Sequence, residues 1–154
     1  MARIAHLRTA RSHPARTDVV ERALADLEDR GRVGGGDVEL ELWDRILTGR
    51  AAHDDFRAGV GLHSGPEVRR ALERLAAEGV VAEEEMVEGH LWLVARIVRE
   101  LRPPSVCVLD AIAAGSRALR KAAERFDPNG GDAFRIYAAW WIRSAVTASA
   151  GDWS

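Results

Sequence analysis

EMVEGHLWLVARIVRELRPPSVCVLDAIAAGSRALRKAAERFDPNGGDAFRIYAAWWIRSAV, from Glu85 to Val146, is the stretch whose reading decides the fold. Met86, Val87, Leu91, Val94, Ile97, Val98 and Leu101 recur at three and four, the spacing of one apolar helix face, and Pro103-Pro104 ends that helix. Ser105 is placed to cap a second helix whose apolar set is Leu109, Ile112, Leu119, Ala122, Ala123 and Phe126. Asp127-Pro128-Asn129-Gly130-Gly131 is dense turn chemistry, and a last helix is predicted from about Ala133 to Thr147.

Working outward, the same period continues. Asp18 with Glu21 reads as a helix start, followed by an apolar face of Val19, Val20, Ala23, Leu24 and Leu27 that ends near Gly31. The run GRVGGG, Gly31 to Gly36, reads as a flexible joint. Asp37 opens a helix carrying Val38, Leu42, Ile46 and Leu47, with Gly49 as its stop. Residues 50–63 suit a short helix and a loop. Ser64-Gly65-Pro66-Glu67 is a capping-box pattern before a helix with Val68, Leu72 and Leu75, ending at Gly79. Strand-like alternation and internal repeats are missing, so the expected fold is an all-α multi-helix bundle.

Of the 154 residues 47% are hydrophobic and 30% charged, a balance that can bury a core, and no apolar run is long enough to span a membrane. The single Cys107 and five scattered histidines give neither a disulfide framework nor a zinc spacing. No cofactor or metal is expected. Without a P-loop, HExxH motif or nucleophile elbow, neither is an enzyme. Glu83-Glu84-Glu85 points around a helix and does not converge on a catalytic site. Arg3, Arg8, Arg11 and Arg16, with no acid among them, mark residues 1–16 as a basic arm, readable as a disordered terminus, a nucleic-acid tail or a transit peptide. Residues 1–90 carry an excess of acid and residues 91–154 an excess of base, so the C-terminal part is the one suited to a polyanion.

Phe134, Tyr137, Trp140 and Trp141 place four rings within eight residues of one helix. Phe134, Tyr137 and Trp141 share a stripe, with Trp140 and Arg143 beside it. Either all four rings are core, or part of the ring surface reaches solvent or a partner. Arg117, Lys121 and Arg125, at i, i+4 and i+8, form a basic ridge on the preceding helix. Alone such a ridge is usually a solvated face. Joined to an aromatic platform it suits single-stranded nucleic acid, where bases stack on rings and cations hold phosphates.

Glu85 to Val146 resembles region 2 of sigma-70 family RNA polymerase sigma factors, through EMVEGHLWLVARI, LDAIAAG, and ERFDP followed by FRIYAAWWIRSAV. Asp37 to Ala52, DVELELWDRILTGRAA, resembles the shorter region 1.2 more weakly; reading residues 19–80 as region 1.1 fits less well. The chain accordingly divides into the arm, a helical segment at 17–80 with the region 1.2-like part at 37–52, and a region 2-like domain at 81–150. The resemblance implies a cytoplasmic protein that docks on the clamp helices of the polymerase largest subunit. It also implies reading of a −10 promoter element by flipping a non-template base from the stack.

By position, Tyr137 matches the tyrosine that stacks on the flipped adenine, and Trp140 and Trp141 the pair that wedges at the upstream fork. Phe134 matches a supporting ring, Arg143 and Thr147 lie near the duplex edge, and Lys121 and Arg125 match contacts to the DNA backbone. Arg99, Leu109, Asp110, Ala113 and Ala114 fall on the polymerase-binding surface.

Departures accompany the match. Ala113 and Ala114 stand where Gln and Glu are usual, Asp132 where an aromatic is, Ser144 where a Gln is, His90 where an Asn contacts DNA, and Ile136 where a Thr is usual. Nothing after Ala148 would supply the helices that read the extended −10 and −35 elements. These departures leave a second reading open: an interaction module or decoy for a regulator, such as an anti-sigma factor, without promoter activity.

Overall fold

A computed structural model describes residues 16–152, and every regular element among them is helical. Seven α-helices follow in order: α1 (Arg16–Asp29), α2 (Gly36–Arg57), α3 (Val60–Ser64), α4 (Pro66–Glu88), α5 (Leu91–Leu101), α6 (Val108–Arg125) and α7 (Phe134–Ser149). Short 3₁₀ turns at Ser105–Cys107 and Ala150–Asp152 precede α6 and follow α7. No helix among the described residues is long and apolar enough to cross a membrane. The arm expected at 1–16 lies outside the described residues except for Arg16. That residue opens α1 and donates from Nη2 to the Val106 carbonyl at 2.9 Å.

Two glycines expected to stop helices do the opposite. Gly49 and Gly79 lie inside α2 and α4, where the two helices cross. A Cβ on Gly49 would stand 2.6 Å from the Gly79 Cα and 2.9 Å from the Leu75 carbonyl oxygen. Glycine in a helix interior costs about 1 kcal/mol relative to alanine, and here it permits backbone-to-backbone approach of the two longest helices. The division expected between residues 80 and 81 therefore falls inside a continuous α4. The Ser64–Glu67 box does not form either. The Ser64 hydroxyl donates to the Val60 carbonyl at 2.9 Å, and Gly65 takes the N-cap position with Pro66 behind it.

The chain break comes later, at Gly89-His90, and divides the helix expected across 86–101 into α4 and α5. The GRVGGG joint packs against it. Val33 is half-buried against the core, and its N–H donates to the Gly89 carbonyl at 3.3 Å. A Cβ on Gly89 would stand 2.3 Å from Val33 Cγ2. Arg30 fastens the same strap by pairing with Asp26 and Glu88, both at 3.0 Å. The run read as a flexible joint is thus held at its centre.

α1 buries Val20, Leu24 and Leu27 and packs on α5. α6 buries Val108, Ala111, Gly115, Leu119 and Ala122. That stripe turns Leu109 outward, against the expected inward placement, and leaves it 39% exposed. Ser105 lies in the 3₁₀ turn, and its side chain makes no cap hydrogen bond. The Asp127 turn forms as its composition suggests. Its carboxylate accepts from the Asn129 N–H at 2.9 Å, its carbonyl accepts from the Gly130 N–H at 3.0 Å, and Gly131 adopts φ 88°.

At the centre, α2 delivers Trp43 against Phe126 and Phe134, with ring centroids 5.1 and 5.3 Å away. His90 meets Phe134 edge-on at 4.8 Å, and its Nδ1 donates to the Met86 carbonyl at 2.7 Å. Burial among these rings lowers the His90 pKa below its ordinary 6.5. Its unfolded form therefore takes up a proton before its folded form does. Stability is expected to be full above pH 6.5 and to decline as the pH falls from there towards the depressed folded value. Thermal melts across that range check this, and His90→Gln is expected to flatten the slope.

Candidate nucleic-acid interface

α6 and α7 lie side by side, and the aromatic helix uses its rings at three depths. Phe134 is fully buried. Grouped by the resemblance with the DNA-facing residues as a supporting ring, it has no surface for DNA: its stripe turns into the Trp43–Phe126 cluster, so it supports other rings from below. Tyr137 and Trp141 are half-buried. Tyr137 leans on Phe126 at 5.3 Å and on Trp141 at 6.1 Å, so a ladder of rings climbs from the core to the surface. Trp140 is 68% exposed and stands edge-on to Trp141 at 6.3 Å. One indole free of the core beside two half-free rings resolves the choice the sequence left open.

The basic ridge faces the same way. Arg117, Lys121 and Arg125 are exposed, and none pairs with an acid among the described residues. Arg125 sets its guanidinium over Trp141, 5.6 Å from the ring centroid. A groove of about 640 Å³ runs between the helices, lined by Arg117, Lys121, Trp140, Trp141, Ser144 and Ala114 among others. Its floor is made of small side chains. Larger polar residues at Ala114 and Ser144 would narrow it.

Other expected site residues are placed differently. Arg143 is exposed on α7, but it donates to Glu100 of α5 at 2.8 Å. That contact, first among its causes, holds the Glu100 carboxyl below the usual carboxylate range. Thr147 is exposed further along α7. His90, at a position where the resemblance implied an Asn on DNA, is buried in the ring cluster. Arg99 is occupied by α1, bridging Glu21 at 3.1 Å and also Glu28. Leu109, Asp110 and Ala113 are exposed on α6, whereas Ala114 turns into the groove beside Trp140. The five residues expected on a polymerase surface thus lie in three environments.

Two residues that position this interface escaped the sequence reading. Trp43 was hidden by its place next to Leu42 in a helix face already accounted for. Arg50 bridges three helices: its Nη2 donates to Glu83 of α4 and to the Ala123 carbonyl of α6, both at 3.1 Å. Its alternation with acids along α2 gave no sign of that.

Fold and site together define a helical bundle that presents one partly exposed aromatic helix beside a cationic one. Residues 86–149 match the family model described as Sigma-70 region 2. The RNA polymerase principal sigma factor HrdD of Streptomyces griseus is 36% identical over 116 residues, 75% of this chain and 35% of the relative. The RNA polymerase sigma factor SigA2 of Synechococcus elongatus is 34% identical over 111 residues, 72% of this chain and 33% of the relative. The RNA polymerase principal sigma factor HrdC of Streptomyces coelicolor is 34% identical over 110 residues, 70% and 32%. The chain belongs to the sigma-70 family, and it spans about a third of the length of these curated relatives.

Proposed function

We propose that this chain is a sigma-like initiation protein that binds core RNA polymerase and promoter DNA opened at a −10-like element, holding an unstacked non-template base against α7. The observation that carries this reading is the exposed indole of Trp140 beside Arg117 and Lys121, above the Tyr137–Trp141 pair. Stacking on such rings is worth about 1–3 kcal/mol per base, enough to offset the few kcal/mol of unstacking when two rings and a phosphate contact act together. In this reading Tyr137 receives the base, Trp140 and Trp141 wedge the upstream fork, and Lys121, Arg125 and Arg117 hold the backbone. Phe134 acts only as a support. Arg143 and Thr147 flank the duplex edge, with Arg143 already tethered by Glu100.

Polymerase docking is assigned to the exposed Leu109, Asp110 and Ala113 at the start of α6. A gel shift with fork-junction DNA, with and without core polymerase, tests the proposal. Trp140→Ala and Tyr137→Ala are each expected to weaken fork binding about 5- to 100-fold, the size of a lost stacking contact, with the fold intact for Trp140→Ala. Unchanged fork binding in both variants overturns it.

The second reading, an interaction module for a regulator such as an anti-sigma factor, is favoured by one observation. The surface assigned to polymerase docking offers only a methyl group at Ala113, Ala114 having turned into the α6–α7 groove, and Arg99 is already neutralised by Glu21 and Glu28. Co-purification decides between the two: recovery of the polymerase largest subunit supports the first, and a regulator recovered without polymerase supports the second.

A further inference from the structure

A second concavity lies away from α7's rings, between the C-terminal end of α1 and the outer side of α5. Its volume is about 760 Å³, and Arg32, Arg96, Arg99 and Arg102 line it around Trp92. Two acids also border it, and both are committed. Glu28 holds Arg99, while Glu100 accepts from Arg96 at 3.4 Å and from Arg143 at 2.8 Å. Arg32 and Arg102 pair with no acid among the described residues. The Arg32 guanidinium lies over the half-buried Trp92 ring, 4.4 Å from its centroid.

Arg102 adds an independent observation. It ends α5 with φ 48° and ψ 57°, the left-handed region, and is the one non-glycine residue with positive φ among the described residues. Glycine is the residue this C-terminal position ordinarily favours. An arginine there keeps a long cationic side chain at the cost of backbone strain.

We propose that this groove is a nucleotide-binding site, distinct from the α6–α7 interface and independent of its reading. Trp92 offers an aromatic face to a base. Arg32, displaced from that face, and Arg102 take the phosphate. Arg96 and Arg99, held in place by their ion pairs, supply the cationic wall. A flat ring already stacked by an unpaired planar cation, with one further unpaired guanidinium at Arg102, suits a base-plus-phosphate ligand better than an acidic peptide, which would use the cations and leave the indole idle. The nucleotide unit could belong to a free nucleotide or to a single strand, and the two sources share this chemistry.

Titration of the full chain with ATP, with an oligodeoxythymidylate of about 16 nucleotides, and with an oligoglutamate peptide of equal charge tests the site. Arg102→Gly is expected to weaken nucleotide binding about tenfold while leaving the melting temperature unchanged or about 2–4 °C higher, because glycine relieves the strain. A merely structural side chain would lower the melting temperature instead. Trp92→Leu is expected to weaken the same probe by a similar factor. Loss with ATP identifies a free nucleotide as the ligand, and loss confined to the oligonucleotide identifies a strand. The same losses are expected in a Tyr137→Ala, Trp140→Ala background, since the two sites share no residue. Wild-type affinity of both variants for both nucleotide probes overturns the proposal. So does oligoglutamate binding as tight as the strand's and equally reduced.

Discussion

Phe134→Ala is expected to cost about 3–5 kcal/mol of folding stability, whereas Trp140→Ala, on the same helix, is expected to cost less than about 0.5 kcal/mol. The difference follows from depth. Phe134 is fully buried and touches three rings from three elements: Trp43 of α2, Phe126 after α6, and His90 between α4 and α5. Truncating it opens a cavity bounded by rigid rings that cannot collapse inward. Trp140 is 68% exposed and leaves only solvent behind. Because Phe126 supports both Phe134 and Tyr137, the cavity also removes the footing of the half-buried tyrosine. Fork binding should therefore weaken in Phe134→Ala through loss of position. Phe134→Leu is expected to recover much of the stability. Urea unfolding of the three variants checks the ranking, and equal losses for Phe134→Ala and Trp140→Ala would contradict the ring ladder.

Gly49→Ala is expected to cost about 3 kcal/mol, the upper end for overpacking, even though alanine is the better helix former. The added methyl would meet the Gly79 Cα at 2.6 Å and the Leu75 carbonyl at 2.9 Å, and both are backbone atoms that cannot rotate away. α2 and α4 must then separate. That separation pulls Trp43 and Arg50, both on α2, from the ring cluster and from the Ala123 carbonyl. Gly31→Ala is the control, since nothing lies within 4 Å of its built Cβ, and it is expected to be neutral within about 0.5 kcal/mol. A Gly49→Ala variant as stable as Gly31→Ala would show that the helices do not cross at this contact.

These two positions also mark what the sequence could and could not tell. The helical class was legible because apolar residues at three and four leave little alternative, and the Asp127–Gly131 turn because its residues carry their own conformational preferences. Gly49 and Gly79 were misread because a glycine that ends a helix and a glycine that admits a neighbouring backbone look the same in one dimension, and the break at Gly89 went unread. The partner at Gly79 is 30 residues from Gly49, and Val33 is further still from Gly89. The ring pattern was readable, but not its depth. Spacing put Phe134, Tyr137 and Trp141 on one stripe, and only the arrival of Trp43 from α2 determines which of them is sealed. Ion pairing was equally hidden. Arg143 and Arg99 carry free charge in the sequence and bound charge in the fold, while Arg117, Lys121 and Arg125 keep theirs.

The capture of an unpaired base by α7 is tested most directly with a fork-junction DNA carrying 2-aminopurine at the position expected to leave the stack. Titration with the chain and core polymerase is expected to raise the probe's fluorescence as the base unstacks. Tyr137→Ala is expected to remove most of that rise, while leaving polymerase association intact. An unchanged signal on complex formation, or a full rise with Tyr137→Ala and Trp140→Ala combined, would contradict base capture by this helix.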